Sequence, residues 1–196
     1  MRRFLLLMLP LGASVVGTAS AQGTQIPIQN AGFEADVLNC APGPNCWNSA
    51  VPGWLPGWLN GEFSGTIKPG TGQYPGGVPG AVNVAFLGGS QMAGSIFQTV
   101  GSTLQANTTY TLRFSLGHRA DDAFTGYVAT LLAGSVAVAY DDSLNPAAGT
   151  FVEDTITYST GATPALRGQL LAISIKSVGT GQANIANVSL TYSPAP

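Results

Sequence analysis

The stretch TYTLRFSL, Thr109 to Leu116, decides the fold. Tyr110, Leu112, Phe114 and Leu116 fall on one side of an extended chain and Thr111, Arg113 and Ser115 on the other, the period of two that a half-buried strand imposes. The same alternation or a short apolar run recurs in IPIQN, GEFSGTIK, AVNVAFL and SIFQTV before it, and in GYVATLLAG, SVAVAYD, FVEDTITYS, LLAISIKSV and NIANVSLTY after it. Clusters of Gly, Pro, Asn and Asp separate these stretches, as turns between strands require. No segment carries a long 3.6-residue apolar stripe with capping signals, so little helix is expected. Many short strands in one unit predict an all-β sandwich, either immunoglobulin-like or a jelly roll. The immunoglobulin pattern of two distant cysteines around a buried Trp is missing, which favours the jelly roll.

The ends set the boundaries. Met1-Arg2-Arg3, the apolar run FLLLMLPLGASVV and Ala19-Ser20-Ala21 follow the charged, apolar and small-residue order of a secretory signal peptide. Residues 1–21 are therefore expected to be removed, leaving one domain over 22–192 and a short stub, 193–196. The apolar run is interrupted by Pro10, Gly12, Ser14 and Gly17, too early for the roughly 20 residues of a membrane span. A secreted or cell-surface location follows as the expectation.

Charged residues make up only 8% of the chain, against about 25% in an average soluble protein. Removing Arg2 and Arg3 from the seven basic residues leaves five against nine acidic ones. No basic patch is available to neutralise phosphates, so nucleic acid is not an expected partner. A polar, weakly charged surface suits neutral, hydroxyl-rich ligands. Cys40 and Cys46 lie on either side of APGPN, and in an exported chain this spacing predicts a local disulfide.

Several spaced motifs carry a family resemblance. NAGFE, VPGW, VPGAVNVAFLGG, IFQTV, LQANTTYTLRFSLGHR, GYVATLLAG, GTFVEDTITYS and IANVSLTY occur in an order that resembles bacterial secreted proteins of the PEP-CTERM-associated type. The order is also similar to plant cell-wall proteins of unknown function and to carbohydrate-binding modules. The resemblance spans about residues 26 to 192 and implies the galactose-binding-like jelly roll. It also implies a structural calcium site joining the first and last strands. Glu34 matches its first acidic ligand; Ala186 stands where an Asp is usual, which leaves Asn187 as the nearest side-chain oxygen. The other reading of Glu34 is a carboxylate satisfied by backbone amides.

Two surfaces are candidates for ligand binding. Trp47 and Trp58, joined by Tyr74, supply aromatic faces that stack on the apolar face of a sugar, with Trp54 expected instead as a core plug. The second is GHRADDAFTGY, where Arg119, Asp121 and Asp122 beside His118 offer hydrogen bonds, or Arg119 simply pairs with Asp121 or Asp122 at a polar strand end. His118 is the only histidine, there is no G-x-S-x-G elbow, and adjacent acidic residues on a strand face opposite ways. The expectation is therefore a non-catalytic binding module for glycan or a cell-surface polymer, with an adhesive envelope protein as the alternative and a hydrolase as a distant third.

Overall fold

The computed structural model describes residues 23–36, 38, 46–49, 58–61, 63–89 and 92–196. Among them are twelve strands and no helix: β1 (Thr24–Ile26), β2 (Trp47–Ser49), β3 (Leu59–Asn60), β4 (Ser64–Ile67), β5 (Val84–Leu87), β6 (Ser95–Thr103), β7 (Thr108–His118), β8 (Tyr127–Ala133), β9 (Val136–Asp141), β10 (Thr150–Ser159), β11 (Leu170–Ser177) and β12 (Ala183–Pro194). All pair antiparallel. One sheet runs β10-β7-β12-β5-β4-β2, with β1 also on β12; the other runs β3-β6-β11-β8-β9. The two sheets make the expected jelly-roll β-sandwich.

Alternation along β7 sets the packing. Tyr110, Leu112, Phe114 and Leu116 are all buried, and they join Ile96, Ala129, Leu131, Ile173 and Ile175 of the facing sheet in one core. Their burial is the main favourable term for folding, since each large apolar side chain contributes about 1.5–3 kcal/mol. Pairing is continuous from Thr109↔Ser159 to His118↔Thr150. A one-residue slip would turn this whole apolar row to solvent, so the register is strongly held.

Two features of the chain reshape the edges of the prediction. The first strand ends at Ile26, ahead of Pro27, which has no N–H to give to a ladder. β2 and β3 lie in the tryptophan-rich stretch, where two or three extended residues are too few to show a period. They are nevertheless paired, Trp47 with Ile67 and Leu59 with Phe97.

Near its middle β12 carries a bulge between Ala186 and Ser189, with Asn187 in the left-handed region at φ 52°. Such a bulge re-aims the residue at its centre. The Asn187 amide therefore donates through Nδ2 to the carbonyl of Pro79, tying β12 to the loop that enters β5.

Candidate functional site

The larger sheet has an outer face that is not an ordinary solvated one. On β5, Ala85 and Leu87 enter the main core, while Val84 and Phe86 point the other way and are buried all the same. There they form a second apolar cluster with Ile67 and Ala186, packed against Val78 and Phe151. A strand apolar on both faces needs cover on both, and here loop side chains and a hollow share the outer one.

The hollow measures about 170 Å³ and is lined by Trp47, Phe63, Ile67, Phe86, Gly89, Arg119, Asp122 and Gln182. Phe86 is its buried aromatic centre. Trp47 meets it edge to face at 6.3 Å and 90°, and Phe63 does so at 6.1 Å and 72°. These two partners are 49% and 47% exposed, so each keeps an aromatic surface for a ligand. Rings in T-shaped contact are held in orientation by their quadrupoles.

The rest of the lining is polar and tightly connected. Arg119 gives Nε and Nη2 to the two carboxylate oxygens of Asp121, both at 2.8 Å, and Nη1 to Gln182 Oε1 at 2.8 Å. Those hydrogen bonds hold the Asp121 carboxyl below its ordinary value despite partial burial. Gln182 is fixed in turn by Nε2 on the carbonyl of Gly88. Asp122 accepts from the backbone N–H of Ala123 at 2.8 Å. It is the one carboxylate among the described residues that line the hollow.

Beside the hollow, Tyr74 lies on the same outer face. Its ring stacks on Phe151 at 4.3 Å, and its hydroxyl donates to Asn184 Oδ1 at 2.6 Å. Gly117 makes room: a Cβ there would stand 2.7 Å from the Tyr74 oxygen and collide with the Phe151 ring. Burial pushes the Tyr74 phenol far above its ordinary value, so it stays protonated and acts as a donor.

Of the residues expected from sequence, the structure brings Trp47 and Arg119 to the hollow, with Asp121 holding Arg119 from behind. Trp58 and Tyr74 do not offer faces to solvent; they are 2% and 1% exposed. Trp58 packs against Phe33 at 5.7 Å and donates Nε1 to the carbonyl of Asn30. It plays the core-plug part that sequence gave to Trp54, which lies outside the described residues. Cys40 lies outside them too, as do residues 1–21, so the disulfide and the signal peptide are not described.

The calcium ligands expected from the resemblance are otherwise engaged. Glu34 Oε1 accepts from the backbone N–H groups of Val82 and Asn83 at 2.6 and 2.9 Å, and Asn187 presents its Nδ2 to Pro79. Both pin the loop before β5. Calcium prefers six to eight oxygens, and among the described residues no three His, Cys, Asp or Glu side chains gather. His118 binds the carbonyl of Pro146 through Nδ1 and faces Phe124, away from any such cluster.

Asp122 belongs to the GHRADDAFTGY stretch that the sequence marks as a candidate binding loop, whereas Phe63, Phe86 and Gln182 are not marked there. A signal existed for Phe86: Val84 to Leu87 is apolar at four consecutive positions, which argues for occupation of both faces of the strand. Nothing local marks Gln182, because only the pairing of β7 with β12 brings it to Arg119.

The fold is thus a jelly roll with an aromatic-lined hollow on the outer face of its larger sheet. Residues 24–191 match the family model described as HpiC1-like, HpiC1 cyclase, and the chain belongs to that family. It is similar to the Stig cyclase Fisc from Fischerella sp. TAU in complex with (3Z)-3-(1-methyl-2-pyrrolidinylidene)-3H-indole: 26% identity, TM-score 0.79, over 89% of this chain and 100% of that one. It is also similar to a cyclase from Fischerella sp. TAU in complex with 4-(1H-indol-3-yl)butan-2-one: 29% identity, TM-score 0.68, over 88% and 99%. The carbohydrate-binding module TmCBM61, in complex with β-1,4-galactotriose, shares the fold alone at 11% identity and TM-score 0.52, over 87% and 99%. No curated protein shows a significant match.

These findings correct the functional expectation. The family is one of cyclases, so neither the non-catalytic glycan-binding module nor the adhesive envelope protein stands. Two of the similar cyclase structures are in complex with small indole-containing molecules, which removes glycan or polymer as the expected partner. Nucleophile and histidine motifs do not mark every enzyme. A site made of aromatic rings and one carboxylate carries no such motif. No helix among the described residues is long and apolar enough to cross a membrane.

Proposed function

We propose that this protein is a cyclase that closes a carbon ring in a small, largely apolar aromatic substrate held in the hollow beside Trp47. The observation that carries this reading is the pairing of exposed aromatic surfaces on Trp47 and Phe63 with the Asp122 carboxylate in one lining. Ring closure onto an electron-rich aromatic passes through a cation. A proton supplied by solvent adds to the unsaturated side chain, a ring carbon attacks the cationic carbon, and the ring C–H proton leaves to Asp122 and from there to solvent, so the product is an isomer of the substrate. Aromatic faces stabilise a nearby cation by about 0.5–2 kcal/mol each, and walls held in place favour the folded conformer from which closure occurs. Asp122 accepts the departing proton. The family match and the indole-containing ligands of the similar structures support the same class of substrate.

The reading includes export. The order of charged, apolar and small residues over Met1 to Ala21, together with the resemblance to PEP-CTERM-associated secreted proteins, supports a site of action outside the cytoplasm. Mass spectrometry of the mature chain, finding its first residue after Ala21, is the expected result.

The activity is tested by incubating the protein with indoles that bear an alkene-containing side chain at C3. A product of unchanged mass and new retention, formed by the wild type and not by Trp47→Ala, supports the proposal. Recovery of unchanged substrate across the panel would refute it.

A further inference from the structure

Arg119 stands in the hollow with part of its hydrogen-bonding capacity unspent. A guanidinium carries five N–H donors and keeps its charge in proteins. Nε and one Nη2 proton go to Asp121, and one Nη1 proton goes to Gln182. Among the described residues, one N–H on each terminal nitrogen takes no acceptor. The side chain is only 12% exposed, and it lines the hollow, so an acceptor that enters there can take these donors in place of water.

The clamp around it is rigid. Asp121 fixes one edge of the planar fork, and Gln182, held by the Gly88 carbonyl, fixes the Nη1 end. Asn184, which holds Tyr74, lies 3.4 Å from Gln182 Oε1 through Nδ2. A fork held this way cannot swing out to solvent when the hollow fills.

The charge balance limits what the fork accepts. Asp121 cancels Arg119, and Asp122 adds a further negative group to the lining. A neutral acceptor meets the free donors without repulsion, whereas a carboxylate meets Asp122. Trp47 and Phe63 do not discriminate between polar groups, because a ring face recognises shape and polarisability.

We propose that Arg119 determines substrate specificity, selecting molecules that carry a neutral hydrogen-bond acceptor, such as a ketone oxygen, on the arm beside their aromatic body. This deepens the cyclase reading and rests on it. A site built to hydrogen-bond one group discriminates strongly against analogues lacking it.

The test is calorimetric titration of the full chain with three probes that share an indole: 4-(1H-indol-3-yl)butan-2-one, 3-butylindole and indole-3-butyric acid. In the wild type the ketone binds about tenfold more tightly than the butyl compound, and the acid gains nothing over it. Arg119→Met abolishes the ketone preference while the butyl compound binds as before, and Arg119→Lys, which restores the charge without the fork, recovers only part of it. Equal affinity for ketone and butyl compound in the wild type, or a preference that survives Arg119→Met, overturns the proposal. Tight binding of both neutral probes without preference leaves the cyclase reading intact; no binding of any probe overturns both. The wild-type comparison needs no variant, so it decides the matter even if Arg119→Met does not fold.

Discussion

The hydroxyl of Tyr74 donates to Oδ1 of Asn184 at 2.6 Å, joining residues 110 apart in the chain. Asn184 is fully buried on β12 and Tyr74 comes from the loop before β5, so this bond fastens the loop onto the outer face next to the hollow. Tyr74→Phe removes the donor and leaves Asn184 Oδ1 buried and unmatched, at a cost of about 1–3 kcal/mol. Gly117→Ala, which forces a Cβ against Tyr74 and Phe151, is expected to cost about as much through overpacking. Urea denaturation of the two variants and of the double mutant checks this. Their effects should fall short of additive, since both disturb one contact.

Two tryptophans of one sequence stretch should respond in opposite ways. Trp58→Ala empties a buried site against Phe33 and is expected to destabilise by about 3–5 kcal/mol. Trp47→Ala removes a half-exposed ring and should cost less than about 1 kcal/mol while abolishing ligand binding. Thermal melts alongside titration with an indole probe separate the two outcomes.

This division shows what the sequence made legible. Alternation in TYTLRFSL and its neighbours was enough for the sandwich, because each long strand repeats its facing choice several times. Trp47 and Trp58 lie in strands or loops too short to repeat anything, and which ring is buried depends on Phe33 and Phe86, distant in the chain. Arg119 and Asp121 were legible as a pair by proximity. Asp122 was legible in the same stretch, whereas Gln182, just before β12, meets Arg119, just after β7, because those strands lie side by side, a relationship that no local pattern encodes.

Asp122→Asn tests the proton-transfer role. A positioned general base contributes about 10²–10⁴-fold, so kcat on a cyclising substrate should fall by at least about a hundredfold. Affinity for a non-reacting indole should hold and the melting temperature should not move. A fall in affinity with kcat unchanged would instead make Asp122 a binding residue.

A second acidic group, remote from this chemistry, governs the pH response of stability. The Tyr127 hydroxyl lies 2.9 Å from Asp141 Oδ2 and 2.7 Å from Asp154 Oδ2, where the edge strands β9 and β10 meet across the sandwich. Burial, with Asp141 nearby, raises the Asp154 carboxyl above its ordinary value. The folded state therefore holds a proton that the unfolded chain has already lost, and stability from Asp154 declines as pH rises from about 4 towards the raised value. Asp141 is lowered: although burial opposes it, hydrogen bonds from Ser143 and Tyr127 prevail, so its contribution is lost only in stronger acid. Asp154→Asn should match the wild type near pH 4 and exceed it at pH 8, as checked by denaturant midpoints across that range.

The substrate is expected in the hollow between Trp47 and Phe63. A crystal structure of the protein with 4-(1H-indol-3-yl)butan-2-one measures that most directly. The indole is expected against the exposed faces of Trp47 and Phe63, with the ketone oxygen on Arg119. A ligand seated elsewhere on the sandwich, with this hollow filled only by water, would contradict it.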